Sequence, residues 1–128
     1  MKGYITNIEK ATVENADYRR VLYTAKNSQL VLMSLKVGEE IGEEVHYLDQ
    51  VIRIEEGKCK VILDGVKSIM EEDYAVVIPA GTKHNVINIG ASDLKLYSIY
   101  SPPEHKDGTV HKTKADATEE HFDGKTTE

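Results

Sequence analysis

Short apolar stretches alternate with polar breaks along most of the chain, and helical periodicity is weak. The stretches recur about every 8 to 12 residues and are separated by Gly, Asp, Asn and Pro, a spacing typical of an all-β barrel or sandwich. Asp64-Gly65, between two apolar runs, predicts a two-residue hairpin because both turn positions require positive φ. We therefore predict an all-β fold built from antiparallel sheets.

The alternation also predicts which residues belong to each element. One helical turn is predicted at 8–11, a strand-like segment at 45–56, and strands at 3–5, 18–24, 29–37, 61–63, 66–70, 75–78, 84–89 and 94–100. The strand at 75–78 is expected to be buried, because all four of its residues are apolar.

Two of these strands carry further expectations. The strand at 29–37 is apolar on both faces, so its outer side must be covered, and the partner in a homodimer is the simplest cover. In the last strand Leu94, Leu96, Ser98 and Tyr100 are expected to face inward. Lys95 is expected to face solvent.

With 128 residues, the chain has the length of one domain. Residues 1–103 are predicted to form a barrel with an N-terminal strand. Residues 104–128 are charged and nearly devoid of apolar side chains, which predicts a surface strap or tail with a frayed end. His105 and His111 in this tail are expected to be surface histidines.

Composition excludes several classes of function. The formal net charge of −6 argues against a nucleic-acid partner, which requires a clustered basic surface. The longest apolar run, 30–35, is far shorter than the roughly 20 residues of a membrane span, and no signal pattern is present, so a cytoplasmic protein without a membrane partner is expected. The single cysteine, Cys59, is predicted to be a small buried hydrophobe.

Two segments carry candidate metal ligands. Glu44 and His46 are two residues apart and therefore share one face of a strand. In the second segment Pro79 ends a strand, and Gly81 permits the tight turn that begins the next strand near His84. The two segments comprise Gly38, Glu44-Val45-His46, Gln50 and Gly57, and Pro79-Ala80-Gly81-Thr82-Lys83-His84 with Asn88.

Together the segments resemble the paired motifs of the cupin superfamily. The first motif contains a Gly, a His-x-His, a Glu and a Gly, and the second reads Pro-x-Gly-x-x-His-x-x-x-Asn, which this chain matches at all four positions. The resemblance implies a double-stranded β-helix, the cupin jelly-roll barrel. It also implies one divalent metal ion in the barrel mouth, such as iron, manganese, zinc or nickel.

The first motif departs from the family pattern. Glu44 stands at the family's first His position, His46 at its second, and Gln50 at its Glu position, while His84 matches the His of the second motif. The resemblance then implies two imidazoles and one carboxylate, a ligand set associated with non-haem Fe(II). Gln50 would be a fourth ligand or would orient a water molecule. The alternative is a barrel that has lost its metal and keeps these side chains in a binding cavity.

The function that follows is a metal-binding cupin that acts on or binds a small polar metabolite, with oxygenase and isomerase chemistry both open. The alternative is a non-catalytic cupin that binds or senses a small ligand, with or without metal. The tail around His105 and His111 resembles that of small stand-alone cupins of the phosphomannose-isomerase-like group, which have no settled activity to transfer. The cavity is expected to be lined by apolar residues, namely Ile52, Ile54, Val86 and Leu96.

Overall fold

The computed structural model describes residues 1–128 of the protein. Strands account for most of its regular structure, as the alternation predicts. In chain order the elements are α1 (Ile8–Glu14), β1 (Arg19–Thr24), β2 (Gln29–Leu35), β3 (Glu44–Val45), β4 (Asp49–Glu56), β5 (Lys58–Leu63), β6 (Val66–Glu71), β7 (Ala75–Ile78), β8 (Lys83–Asn88), β9 (Leu94–Ser101), β10 (Val110–His111) and a 3₁₀-helix (Lys114–Asp116).

The strands form two antiparallel sheets that enclose a single core. The larger sheet has the order β10-β1-β2-β9-β4-β7, and the smaller has the order β3-β8-β5-β6. Both sheets contribute to one buried apolar cluster, with Val31 and Leu96 from the larger sheet and Val61 and Val86 from the smaller. The predicted all-β antiparallel fold is confirmed.

Local features of the barrel also match the sequence. Asp64 and Gly65 join β5 to β6 with φ values of 47° and 83°, the positive values that the hairpin requires. Cys59 is fully buried in the core, and burial raises the pKa of its thiol to about 11. The cysteine is therefore the small buried hydrophobe that the sequence predicts.

The predicted solvent-facing position of Lys95 is wrong. Its side chain leaves the outer face of β9, as alternation requires, but the N-terminal segment covers that face and Lys95 is 8% exposed. The ammonium group donates hydrogen bonds to the carbonyl of Asn15, at the end of α1, at 2.6 Å and to Ser34 Oγ at 3.0 Å. The chain's own first helix thus packs on the outer face of β9 and β4, next to β2. The homodimer stays a prediction.

Two smaller predictions about strands are also wrong. Residues 3–5 form no strand, because the amides of Lys2 and Gly3 donate to the side chain of Glu128 and Ile5 stays fully exposed. The strand at 75–78 exists, but it lies at the edge of the larger sheet and Val77 is 63% exposed.

The C-terminal segment, residues 104–128, runs back over one end of the barrel. Its strand β10 pairs with β1, so that Arg19 lies opposite His111, and the amide of Thr127 donates to the carbonyl of Thr24. The side chain of Gln29 accepts from the amide of His105 and donates to its carbonyl. These contacts hold the segment against the opening of the barrel. No helix in the structure has both the length and the apolar character needed to cross a membrane.

Candidate metal centre

Sheet register brings the two candidate segments together. Glu44 in β3 lies directly opposite His84 in β8, in an antiparallel pair of the smaller sheet. Such opposed side chains share a face and have Cβ atoms roughly 5 Å apart. His46 follows β3 two residues after Glu44, and its ring centroid lies 5.2 Å from that of His84. Three side chains from distant parts of the sequence therefore meet at one point.

The ligand atoms of Glu44, His46 and His84 all lie within 4.8 Å of one another. His46 Nε2 is 2.8 Å from Glu44 Oε2, yet this buried nitrogen has no partner in hydrogen-bond geometry. Neighbouring ligands of one ion with bonds of about 2.1 Å stand roughly 3 Å apart at right angles. The two atoms have the spacing of two ligands of one cation.

The ring orientation of both histidines suits metal binding. The Nδ1 of His84 lies 2.9 Å from the carbonyl of Thr82, a contact in which Nδ1–H donates and the lone pair of Nε2 stays available. Nδ1 of His46 faces Glu104 Oε1 at 3.6 Å, and the same oxygen accepts from Nδ1 of His121 at 3.0 Å. A carbonyl and a carboxylate behind metal-binding imidazoles fix their tautomer and raise their basicity.

Gln50 lies at the beginning of β4, opposite Tyr100 of β9, and is 3% exposed. Its Nε2 donates to Ser98 Oγ at 3.2 Å, while its Oε1 is buried without a hydrogen-bond partner. An unpaired buried amide oxygen is costly unless a cation or a water molecule satisfies it. The three ligand atoms, together with the unpaired His46 Nε2 and Gln50 Oε1, therefore fit a divalent ion. The role of Gln50 as a ligand or a water-orienting group stays a prediction.

Comparison with protein families decides the identity of the barrel. The sequence model of the cupin domain family matches residues 31–100, which is more than half of the chain. The chain is a cupin. The expected double-stranded β-helix is confirmed, and the matched range contains all four candidate site residues.

The cupin has close relatives, both in sequence and in structure. It is 50% identical over 123 residues to the uncharacterized protein YrkC of Bacillus subtilis, covering 91% of this chain and 66% of YrkC, so the chain spans about two thirds of that protein. It is 46% identical over 113 residues to an uncharacterized protein of Acanthamoeba polyphaga mimivirus, covering 84% of this chain and 70% of that protein. A crystal structure from Bacillus halodurans superposes with a TM-score of 0.88 at 48% identity, covering 90% of this chain and 92% of that one.

Electrostatics in the cupin site favour opposite charges on Glu44 and His46. Burial would raise the pKa of the Glu44 carboxyl, but the contact with His46 and the nearby charge of Arg19 bring that pKa below its ordinary value. Burial would lower the pKa of His46, but Glu44 outweighs burial and the pKa is raised. Both shifts stabilise the charged forms of the two side chains, and a cation that binds His46 must compete with its proton.

Glu44 and His46 of the cluster line a cavity of about 670 Å³, a volume within the range of small-molecule sites. Four of its sixteen lining residues are hydrophobic, so the cavity suits a polar molecule. The predicted apolar lining by Ile52, Ile54, Val86 and Leu96 is wrong. These side chains are at most 1% exposed and belong to the sealed core beneath the site.

Residues of the C-terminal segment form the opposite wall of this cavity, and the surface positions predicted for His105 and His111 are wrong. His105 lines the cavity with Nε2 3.3 Å from the hydroxyl of Tyr100, and burial lowers its pKa to about 3. His111 is 8% exposed and contacts Arg19. Tyr47, next to His46, is 90% exposed and points away from it, as strand alternation predicts.

Two further cavity residues escape prediction from the sequence: Arg19 on β1 and Glu104 in the C-terminal segment. The sequence offers Arg19 only as half of the pair Arg19-Arg20, and Glu104 as one more charge in an acidic tail. The one available signal for Arg19 is strand alternation. Arg19 and buried Val21 are two residues apart in β1, so their side chains lie on the same inner face.

Proposed function

We propose that this cupin binds one divalent metal ion through Glu44, His46 and His84 and acts on a small polar metabolite in the adjoining cavity. The observation that carries the proposal is the convergence of three ligand atoms within 4.8 Å of one another. The buried oxygen Gln50 Oε1, which lacks a partner, adds a further candidate ligand. When bound, such an ion polarises a coordinated oxygen group as a Lewis acid or supports redox chemistry.

The chain's own residues prepare the site for such a ligand. Thr82 and Glu104 orient the two imidazoles, and Gln50 offers a neutral oxygen deep in the barrel. Tyr100 packs edge-on against His46, with ring centroids 6.1 Å apart, and closes the barrel side of the site to water. Because burial raises the pKa of Tyr100 and lowers that of His105, both side chains stay neutral at pH 7. Neutral Tyr100 and His105 therefore add no charge to the cavity.

The proposed reactions are oxygenation or isomerisation of an enol, diol or hydroxy acid. A ligand of this kind could offer two adjacent oxygen atoms to a metal ion that Glu44, His46 and His84 would hold with positions left open. The polar cavity beside the cluster supplies the space for such a molecule.

Metal content of the purified protein tests the proposal. We expect about one equivalent of a divalent metal in protein purified without added metal, and loss of most of it in Glu44→Gln and His84→Ala. Glu56→Gln is the control, because Glu56 is an exposed carboxylate at the end of β4, outside the cluster and the cavity. If wild type and Glu44→Gln bind zinc equally weakly, metal binding at this site is refuted.

Turnover assays then separate an enzyme from a sensor. The metal-loaded protein is incubated with enolic compounds and hydroxy acids while oxygen uptake and exchange of substrate C–H for deuterium are followed. Oxygen consumption indicates an oxygenase, and deuterium exchange indicates an isomerase. A compound that binds and is recovered unchanged in both assays supports the non-catalytic alternative.

A further inference from the structure

Arg19 points into the barrel from the first strand. In the larger sheet it lies opposite Met33 of the core on one side and opposite buried His111 on the other. Its neighbour Arg20 leaves the other face of β1, where its exposed side chain pairs with Asp17 at 2.9 Å. Arg19 itself is 7% exposed, so its guanidinium is an interior charge.

This interior charge has no acidic partner. No carboxylate oxygen lies within 4.0 Å of the guanidinium of Arg19, while Nη1 lies 3.3 Å from Nδ1 of His111. Burial and the charge of Arg19 lower the pKa of His111, so the imidazole is neutral and accepts this hydrogen bond. The guanidinium also lies 5.3 Å from the ring centroid of Tyr18, a cation–π contact.

One edge of the guanidinium stays unused. Nε is buried without any hydrogen-bond partner, and no side-chain hydrogen bond engages Nη2. In a guanidinium, Nε–H and one N–H of the adjacent nitrogen point in the same direction and match the two oxygens of a carboxylate. Leaving such donors buried and unpaired is costly, so this edge calls for an oxyanion.

Arg19 lines the same cavity as two residues of the metal cluster. Arg19, Glu44 and His46 all line it, and the charge of Arg19 contributes to the lowered pKa of Glu44. With a dication bound, the charged groups of the cavity that do not lie on its exposed rim are the ion, Arg19, Glu44 and Glu104. Their formal charges leave an excess of one positive charge, which a monoanionic ligand would neutralise.

We propose that Arg19 binds the carboxylate of a small hydroxy or oxo acid through its Nε edge, while another oxygen of that acid reaches the metal ion. This inference rests on the proposed function, since it assumes that the cluster holds a metal, and it names the substrate class of that site. Arg19 selects for the negative charge of the ligand's carboxylate, and the metal ion selects for the hydroxyl or oxo oxygen next to that carboxylate.

The surroundings of Arg19 favour a carboxylate over a phosphate ester. A phosphate monoester brings a charge of roughly −1.5 to −2 at neutral pH and would reverse the excess positive charge of the interior. The exposed rim of the cavity also carries Glu43, Glu119 and Glu120, which repel a dianion more strongly than a monoanion.

The test compares glycolate with its neutral amide, glycolamide, on the zinc-loaded protein. The two probes share size and hydroxyl group and differ in charge. Binding is followed in ¹H–¹⁵N spectra through the Nε–H signal of Arg19, assigned by its absence in Arg19→Met. Arg20→Met is the matched control, because it makes the same change at the next residue, on the outer face. Zinc affinity is measured for every variant.

We expect glycolate to shift the Nε–H signal of Arg19 and to bind at least about tenfold more tightly than glycolamide, as one charge-assisted pair would produce. This preference should disappear in Arg19→Met, persist in part in Arg19→Lys and remain in Arg20→Met, with zinc affinity retained. An unmoved Nε–H signal at saturating glycolate, or an unchanged preference in Arg19→Met, refutes the carboxylate site alone. Failure of wild type to bind zinc refutes the proposed function together with this inference.

Discussion

Removing the charge of Glu104 provides a sharp test of the metal centre, because this residue lies outside the sequence motifs. Its Oε1 faces Nδ1 of His46 at 3.6 Å and also accepts from His121. In Glu104→Gln the shape of the side chain is kept, while the negative charge behind the His46 ring is lost. We expect the affinity for zinc to fall.

The size of the effect follows from the distances. The carboxylate oxygen lies roughly 7 Å from an ion bound to Nε2 of the same ring, given a metal–nitrogen bond of about 2.1 Å. A unit charge and a dication at that distance attract by about 5 kcal/mol at an effective dielectric constant of about 20, which is an upper bound. Glu104 shares its charge with His121 at 3.0 Å, so we expect the loss typical of such supporting carboxylates, about 10- to 100-fold in affinity, or about 1.4 to 2.7 kcal/mol.

The assay is competition for zinc against a chromophoric chelator at pH 7.5, with wild type, Glu104→Gln and Glu56→Gln measured in parallel. Glu56→Gln removes the same charge outside the cavity and should match wild type. Circular dichroism confirms that the variants are folded. A zinc dissociation constant of Glu104→Gln within twofold of the control would refute the role of Glu104.

Two further predictions concern stability. The pKa of His105 is about 3 in the folded protein and about 6.5 when unfolded, so the stability that depends on its neutral form is largely present above pH 6.5 and is lost as the pH falls towards 3. Urea unfolding of metal-free protein should show about 1.6 kcal/mol lost between pH 6.5 and 5 from this group, and a smaller loss in His105→Asn. Equal losses would contradict this. Lys95→Met leaves the carbonyl of Asn15 and Ser34 Oγ without their donor, and should lower the free energy of unfolding by roughly 1 to 3 kcal/mol. Unchanged stability would show that these two hydrogen bonds do not stabilise the fold.

The sequence could predict the cluster of Glu44, His46 and His84 because each of its two segments is short and the family pattern pairs them. Strand alternation places Glu44 and His46 on one face, and the motif places His84 just after a tight turn. Register in the smaller sheet then brings Glu44 opposite His84. Each step depends on a few neighbouring residues, and the family pattern supplies the one long-range pairing.

The wall of the cavity could not be predicted in the same way, because it depends on the path of the C-terminal segment. That path is set by contacts such as those of Gln29 with the backbone of His105, across 76 residues of sequence. A charged, apolar-poor segment is ordinarily a solvated tail. The exposure of Lys95 could not be predicted for the same reason, since the segment that buries it lies 80 residues earlier in the chain.

The exchange of residues within the first motif follows from where charge can be accommodated in this barrel. At position 50 a carboxylate would be buried beside Ser98, and the residue there is instead a neutral amide that is 3% exposed. At position 44 the carboxylate is 34% exposed, touches His46 and feels the charge of Arg19. Moving the negative charge from the depth of the barrel to its mouth lowers the cost of desolvation and keeps one anionic ligand for a cation. The same move places that carboxylate near an arginine that pairs with no protein carboxylate, which is the arrangement that the proposed carboxylate site requires.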